Sequence, residues 1–394
     1  MEINRRQFLW TAAAGTATAQ QRLAEDSAIA GATVDTTPRV GIVLSSFRGS
    51  SDHDGGKLPG LQDPRPPDAD LTTAQLDAMV VKAIELGNQR GGGLETVVEA
   101  DDWVVLKPDI GTCYGLPAGG SHHRYIPGSV TDPRLVRSVI SFLVRNKRGS
   151  RFTIAEGSAE WLPRQRAKTP VDGWTTTWGD AYGGFSYQQM VSDFSTRYPH
   201  LRFDLVDLNF DESSEEQVRG KAAAARNPSA SYRIPKTITR CDRLIGIAPM
   251  KTDIATTVSL SVKNYFGIAP GAVYGFPKDG LHKLGQQDEL MADLFSIRPA
   301  DYAIVGGCWG VDGDGPHAPG GKSVHHNLIL AGHNAVAVDA VAAAAMGMEP
   351  KDLVFLRILE KKGLGTFDLD AIWMRGSDLS EAAHPFRKPN RKMH

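Results

Sequence analysis

The chain has 394 residues, with 44 lysines and arginines against 45 aspartates and glutamates, for a formal net charge of -1. That balance gives no electrostatic case for nucleic acid or an anionic membrane surface as a partner. Hydrophobic residues at 41% and charged residues at 23% match an ordinary globular protein, long enough for one large domain or two lobes.

Residues 1–19 have the three parts of an export signal. Arg5-Arg6 stands before Phe8-Leu9, a weakly apolar run of small residues follows, and Ala17-Thr18-Ala19 gives an A-x-A cleavage pattern. Paired arginines with so weak an apolar run predict the twin-arginine route, hence export in the folded state, a periplasmic or extracytoplasmic location, and the twin-arginine machinery as a partner. That route carries some proteins because a cofactor is inserted before export. Residues 20–38 are small and polar, a predicted linker. No later stretch approaches the roughly 20 apolar residues that span a bilayer, so no transmembrane span is expected in the mature protein.

From residue 39 the pattern alternates. Short Val-, Ile- and Leu-rich runs at Arg39–Ser46, Trp103–Lys107, Phe152–Ala155, Phe203–Leu208, Leu244–Ala248, Tyr302–Val305 and Leu328–Ala331 suit strands covered on both faces. Helical spacing of apolar residues marks Thr72–Leu86, Pro133–Val144, Asn334–Met346 and Lys351–Lys361. Together they predict one α/β domain over 39–378, with a largely parallel twisted sheet, helices on both faces and long ordered loops, followed by a polar tail over 379–394. The long aperiodic segments are Ser50–Asp70, Gly111–Gly128 and Leu162–Ser186. Loops of that length in a compact domain are usually functional or disordered.

Charged residues follow several predicted strands: Lys107 and Asp109, Glu156, Lys251 and Asp253, then Asp312, Asp314 and His317. Strand ends of a parallel sheet converge on one rim, where open α/β sheets bind ligands. Asp109, Glu156, Asp253, Asp312, Asp314 and His317 are therefore candidate ligands for a divalent metal. Lys107, Lys251 and Lys263 are candidates for acid–base work or for holding an anion. Asn264, beside Lys263, and the loop pair His122-His123 are candidate substrate-binding residues. Any one of these could equally be a turn residue or a surface charge; it is their joint occurrence that points to a site. Asp312-Gly-Asp-Gly lacks the Asx spacing and closing Glu of an EF-hand. No G-x-S-x-G, G-x-G-x-x-G, Walker A or H-E-x-x-H pattern occurs. Cys113, Cys241 and Cys308 form no C-x-x-C, so no cysteine-ligated iron–sulfur cluster is expected, and they read as small buried side chains.

Five of these segments occur in a familiar order: Val104–Asp109, Ala248–Asp253, Val262–Gly267, Gly313–Pro316 and Ala335–Ala340. As a set they resemble the family called domain of unknown function 362, over roughly residues 40–376. The resemblance implies an α/β fold and a site at these segments, and it implies no particular reaction. The family pattern usually has Asn at the position of Asp109 and His at that of Asp253. An acid at each position would shift a metal preference toward harder ions, or indicate a different ligand. The resulting expectation is an exported enzyme with a metal- or cofactor-assisted polar site acting on a small anionic substrate. The alternative is a non-catalytic periplasmic binding protein for a metal or a small anionic metabolite.

Overall fold

Each of the seven apolar runs becomes a strand, and all but the edge strand Arg202–Asp207 are buried along most of their length. The computed structural model describes residues 37–52, 54–89, 92–111, 126–157, 184, 186–276, 278–315 and 321–390. In chain order the main elements are β1 (Arg39–Leu44), α1 (Thr73–Leu86), β2 (Trp103–Pro108), α2 (Pro133–Arg145), β3 (Arg151–Glu156), α3 (Tyr187–Arg197), β4 (Arg202–Asp207) and β5 (Arg243–Ala248). There follow β6 (Lys251–Asp253), β7 (Thr257–Ser259), α4 (Gln287–Ile297), β8 (Tyr302–Asp312), β9 (Lys322–Gly332), α5 (Ala335–Ala345), α6 (Val354–Lys361) and β10 (Trp373–Gly376).

The ten strands form one sheet in the order β10-β1-β9-β8-β5-β2-β3-β4, with β6 joined to β8 and β7 joined to β6. Pairing is parallel except where β9 meets β1 and β8 and where β7 meets β6. This is the expected α/β class, with a mixed sheet of mostly parallel strands. Side chains alternate across the sheet with the two-residue period of a strand. Val104 and Leu106 pack with α1, α2 and α3 on one face. Val105, between them, packs with α4, α5 and α6 on the other. The described residues from Thr37 onward form one unit.

Helix starts follow local chemistry. Thr72 and Gln75 make a reciprocal capping box at α1, and Asp132 caps α2 with Pro133 at its first position. Two helices absent from the sequence expectation, α3 and α4, complete the two layers. In α4 the apolar Leu290, Met291, Leu294 and Phe295 do fall at helical spacing and are buried. Within the segment expected as a loop over Ser50–Asp70, Gly49–Ser51 pairs with Lys57–Pro59 as a small hairpin. The expected polar tail is docked where described: Leu379–Ala382 is helical, the Phe386 side chain is buried, and the Phe386 N–H donates to Met346 O. Among the described residues no helix is long and apolar enough to cross a membrane.

Candidate functional site

Parallel register brings the first strand ends together. Leu106 of β2 lies opposite Ile154 of β3 and Ile245 of β5, so Lys107, Glu156 and the Ala248–Lys251 turn emerge side by side. Lys107 is 1% exposed, and its ammonium donates to Glu156 Oε2 at 2.7 Å, Asn264 Oδ1 at 2.6 Å and Pro108 O at 3.2 Å. All three of its N–H groups are thereby used. Asn264 returns the contact, its Nδ2 donating to Lys107 O at 2.8 Å. The other oxygen of Glu156 accepts from Gly157 N at 2.7 Å.

Two further ion pairs lie along the same cleft. Lys251 donates to Asp109 Oδ2 at 2.7 Å and to Ser129 O at 3.0 Å. Asp109 is in turn fixed at its backbone by Thr131, whose hydroxyl accepts from Asp109 N. Burial opposes ionisation of the Asp109 carboxyl, but Lys251, with help from Lys107, more than offsets it and holds the carboxyl below its usual range. Lys263 pairs with Asp253 Oδ2. The Asp253 Oδ1 closes a tight turn by accepting from Ala255 N, Thr256 N and Thr256 Oγ1. That turn ends on Thr257 at φ +72°, a left-handed conformation that a β-branched residue adopts only at a cost.

Asp109, Glu156, Lys251, Asp253, Lys263 and Asn264 thus share one cleft of about 330 Å³, at the small end of the ligand-site range. Two of its walls carried no signal in the sequence. Lys278 is buried, takes φ +72°, and donates to Gly157 O at 2.6 Å and Phe266 O at 2.7 Å. His282 stacks on Phe266 at 5.5 Å. Burial, aided by Lys263 and Lys278 and opposed by Asp279, pushes its pKa below the ordinary histidine value. A neutral imidazole therefore faces the cleft at pH 7. Four ammonium groups and three carboxylates make the described site cationic by one charge.

Gly267 lets the pieces meet. A Cβ there would lie 2.1 Å from Glu156 Oε1 and 2.4 Å from Lys107 Nζ. Gly157 is equally constrained, 2.3 Å from Gly267 O. Both glycines are needed for close approach of backbone to the buried pair.

Asp312 and Asp314 do not line this cleft. Asp312 accepts from Arg387 Nη2 at 2.6 Å and Nε at 2.8 Å, and Asp314 accepts from Asn390 N at 2.7 Å. Both anchor the C-terminal segment, a role that strand-end position alone does not distinguish from a site. His122, His123, His317 and Cys113 lie outside the described residues. His325 and His326 are neighbours on β9 and so point to opposite faces. His325 stacks on Trp309 at 4.1 Å, while the His326 ring meets Ala382 O at 2.8 Å. Cys241 and Cys308 are buried free thiols, and burial pushes each pKa up to about 12.

The family model described as "Domain of unknown function (DUF362)" matches residues 104–344. The chain belongs to this family. The match runs from β2, which carries Lys107, through α5, and so takes in every described element of the cleft. No curated protein matches the sequence. Among solved structures, the lactate racemase apoprotein from Thermoanaerobacterium thermosaccharolyticum is similar at 13% identity and a TM-score of 0.31. The overlap covers 71% of this chain and 58% of that one, so this chain spans less than two thirds of its neighbour's length. A likeness that slight implies nothing about function.

Proposed function

We propose that the DUF362 cleft binds a small anionic molecule and that the protein is an enzyme moving a proton on it. One observation carries the reading: at the strand ends, Lys251 and Lys263 keep N–H groups that no described residue takes up, beside a neutral His282. Among the described residues Lys251 donates to two acceptors and Lys263 to one, out of three donors each. These two lysines would grip the anion, and His282 would accept or return the proton. Lys107, with every donor used, would hold Glu156 and Asn264 in place.

Metal assistance has less support. Each carboxylate in the cleft is already engaged by a lysine, and an ammonium beside it repels a cation. Among the described residues no three His, Cys, Asp or Glu side chains converge as metal ligands. A metal would need donors from outside the described residues, such as His122, His123 or His317, and elemental analysis of natively purified protein tests for one.

The test of the main reading is binding of sulfate and a panel of small carboxylates, measured by calorimetry on the full chain. Lys263→Met is expected to weaken binding about tenfold to a hundredfold, the loss of one charge-assisted hydrogen bond. Proton transfer is read as deuterium exchange from solvent into each bound carboxylate, which His282→Gln should stop without loss of binding. Binding with no exchange on any ligand would favour the non-catalytic binding protein. No anion binding at all would sink both.

Export by the twin-arginine route is the second part of the proposal, supported by Arg5-Arg6 and the A-x-A pattern of residues 1–19. The double change Arg5→Lys, Arg6→Lys should leave unprocessed precursor in the cytoplasm. Unchanged processing would remove that route.

A further inference from the structure

Behind the cleft, on the far side of the Ser259–Gly267 segment, lies a carboxylate that, among the described residues, touches neither the cleft nor any cation. Asp339 on α5 is fully buried. Its Oδ1 accepts from Ser261 N at 2.9 Å and Ser261 Oγ at 2.6 Å, and its Oδ2 accepts from Val262 N at 2.9 Å. The next two residues are Lys263 and Asn264, which open a 3-10 helix running to Ile268. That short helix also carries Phe266 and Gly267. One side chain therefore fixes the backbone from which four residues of the cleft depart.

Resting on the anion-binding reading of that cleft, we infer that Asp339 is its positioning residue: the ionised carboxylate sets the Ser261–Val262 backbone and so aims Lys263 and Asn264. The chemistry requires the ionised form. A carboxylate offers lone pairs on both oxygens, whereas a protonated carboxyl or an amide turns one of the two into a donor. Whichever oxygen is lost, the N–H of Ser261 or of Val262 then faces a donor in a dry site, which costs the full desolvation of that group.

The surroundings of Asp339 bring no charge to it. The faces packed on α5 are apolar: Ile42 from β1, Val305 from β8, Leu330 from β9, Phe355 and Leu359 from α6, and Ala382 from the C-terminal helix. Nearest along the loop, Lys263 and Asp253 are paired with each other on the cleft side. His326 and His384 lie toward the C-terminal end of α5, where His384 N donates to Ala345 O. Burial therefore dominates and raises the Asp339 pKa to about 7, against the three hydrogen bonds that lower it. The anchor is thus switchable near neutral pH, with a sign opposite to that of His282. Lowering the pH protonates Asp339 and loosens the Lys263 segment, whereas protonating His282 adds a positive charge and tightens an anion.

The experiment uses the full chain with sulfate as the probe, because sulfate keeps its charge through the neutral and mildly acidic range. Two variants are compared with wild type, Asp339→Asn and the milder Ser261→Ala, which removes one of the three bonds. Amide hydrogen exchange at about pH 8 is expected to quicken roughly tenfold or more at Ser261–Gly267 in Asp339→Asn, and less in Ser261→Ala. The Thr73–Leu86 helix should be unchanged in both. Sulfate affinity at that pH should fall about tenfold in Asp339→Asn. On acidification wild-type affinity should pass through a minimum, as Asp339 and then His282 take up protons, while that of Asp339→Asn only rises. Exchange that is unaltered in the segment, or raised equally everywhere, would overturn the positioning role. If wild type binds no sulfate, the anion reading of the cleft fails, and the exchange data still decide whether Asp339 holds the segment.

Discussion

Replacing Lys107 by Met should cost stability out of proportion to its size. The two chains are similar in length and volume, so little cavity is created. What changes is Glu156. Its side chain is 3% exposed and loses the Lys107 ammonium at 2.7 Å, keeping Gly157 N–H as a partner. Asn264 Oδ1 loses its donor at the same time. Removing one partner from a buried pair costs about 3–5 kcal/mol, a large share of the 5–15 kcal/mol typical of a folded domain. The double variant Lys107→Met, Glu156→Gln removes both charges and keeps an acceptor for Gly157 N–H. It should lie within about 2 kcal/mol of wild type, below the cost of Lys107→Met alone, so the cycle should show a favourable coupling of at least about 1 kcal/mol. Equilibrium urea unfolding of wild type, both single variants and the double variant completes the cycle, with equal slopes required for the comparison. Strictly additive effects would show that Lys107 and Glu156 do not depend on each other, and the account of Lys107 as the organiser of the site would be wrong.

Other consequences follow from the same geometry. Gly267→Ala should separate the Lys107–Glu156 pair, because its methyl would sit 2.1 Å from Glu156 Oε1; a loss of about 3 kcal/mol or more is expected, and wild-type unfolding would contradict the packing. Asp339 gives a pH signature in stability. The folded protein keeps its proton up to about pH 7, while the unfolded chain releases it near pH 3.8. Its contribution is therefore fully present below pH 3.8 and is lost as the pH rises to about 7, in all about 4 kcal/mol. The difference in unfolding free energy between wild type and Asp339→Asn should trace that fall, and a pH-independent difference would refute it. Asp109 has the opposite sign, its contribution holding above the usual carboxylate range and fading as acid protonates it; Asp109→Asn should flatten stability below about pH 4. Thr72→Ala breaks the α1 capping box and should cost about 1 kcal/mol with no effect on sulfate binding.

Much of the architecture could be read from the chain because burial on both faces leaves a simple trace. Runs such as Val104-Val105-Leu106 are apolar at every position only when both sides of a strand are covered. The polar residues that end β2, β3 and β5 then had to gather at one rim, and Lys107, Glu156 and Lys251 do. Asp312 and Asp314 have the same kind of strand-end address yet serve Arg387 and Asn390, since which partner claims a carboxylate depends on a segment some 75 residues away. Lys278 and His282 gave no sign, because they reach the cleft through a left-handed residue and a short helix rather than through a strand.

The sequence by itself determined the class of sheet, its two covering layers and the presence of charge at its rim, since these follow from local periodicity and from the direction of parallel strands. Only the tertiary structure decided how those charges are used. It paired Asp109, Glu156 and Asp253 with lysines and set a buried Asp339 behind them. Those outcomes rest on contacts between residues from 10 to 142 positions apart, whose energies depend on distance and burial, and neither is written in a local run of amino acids.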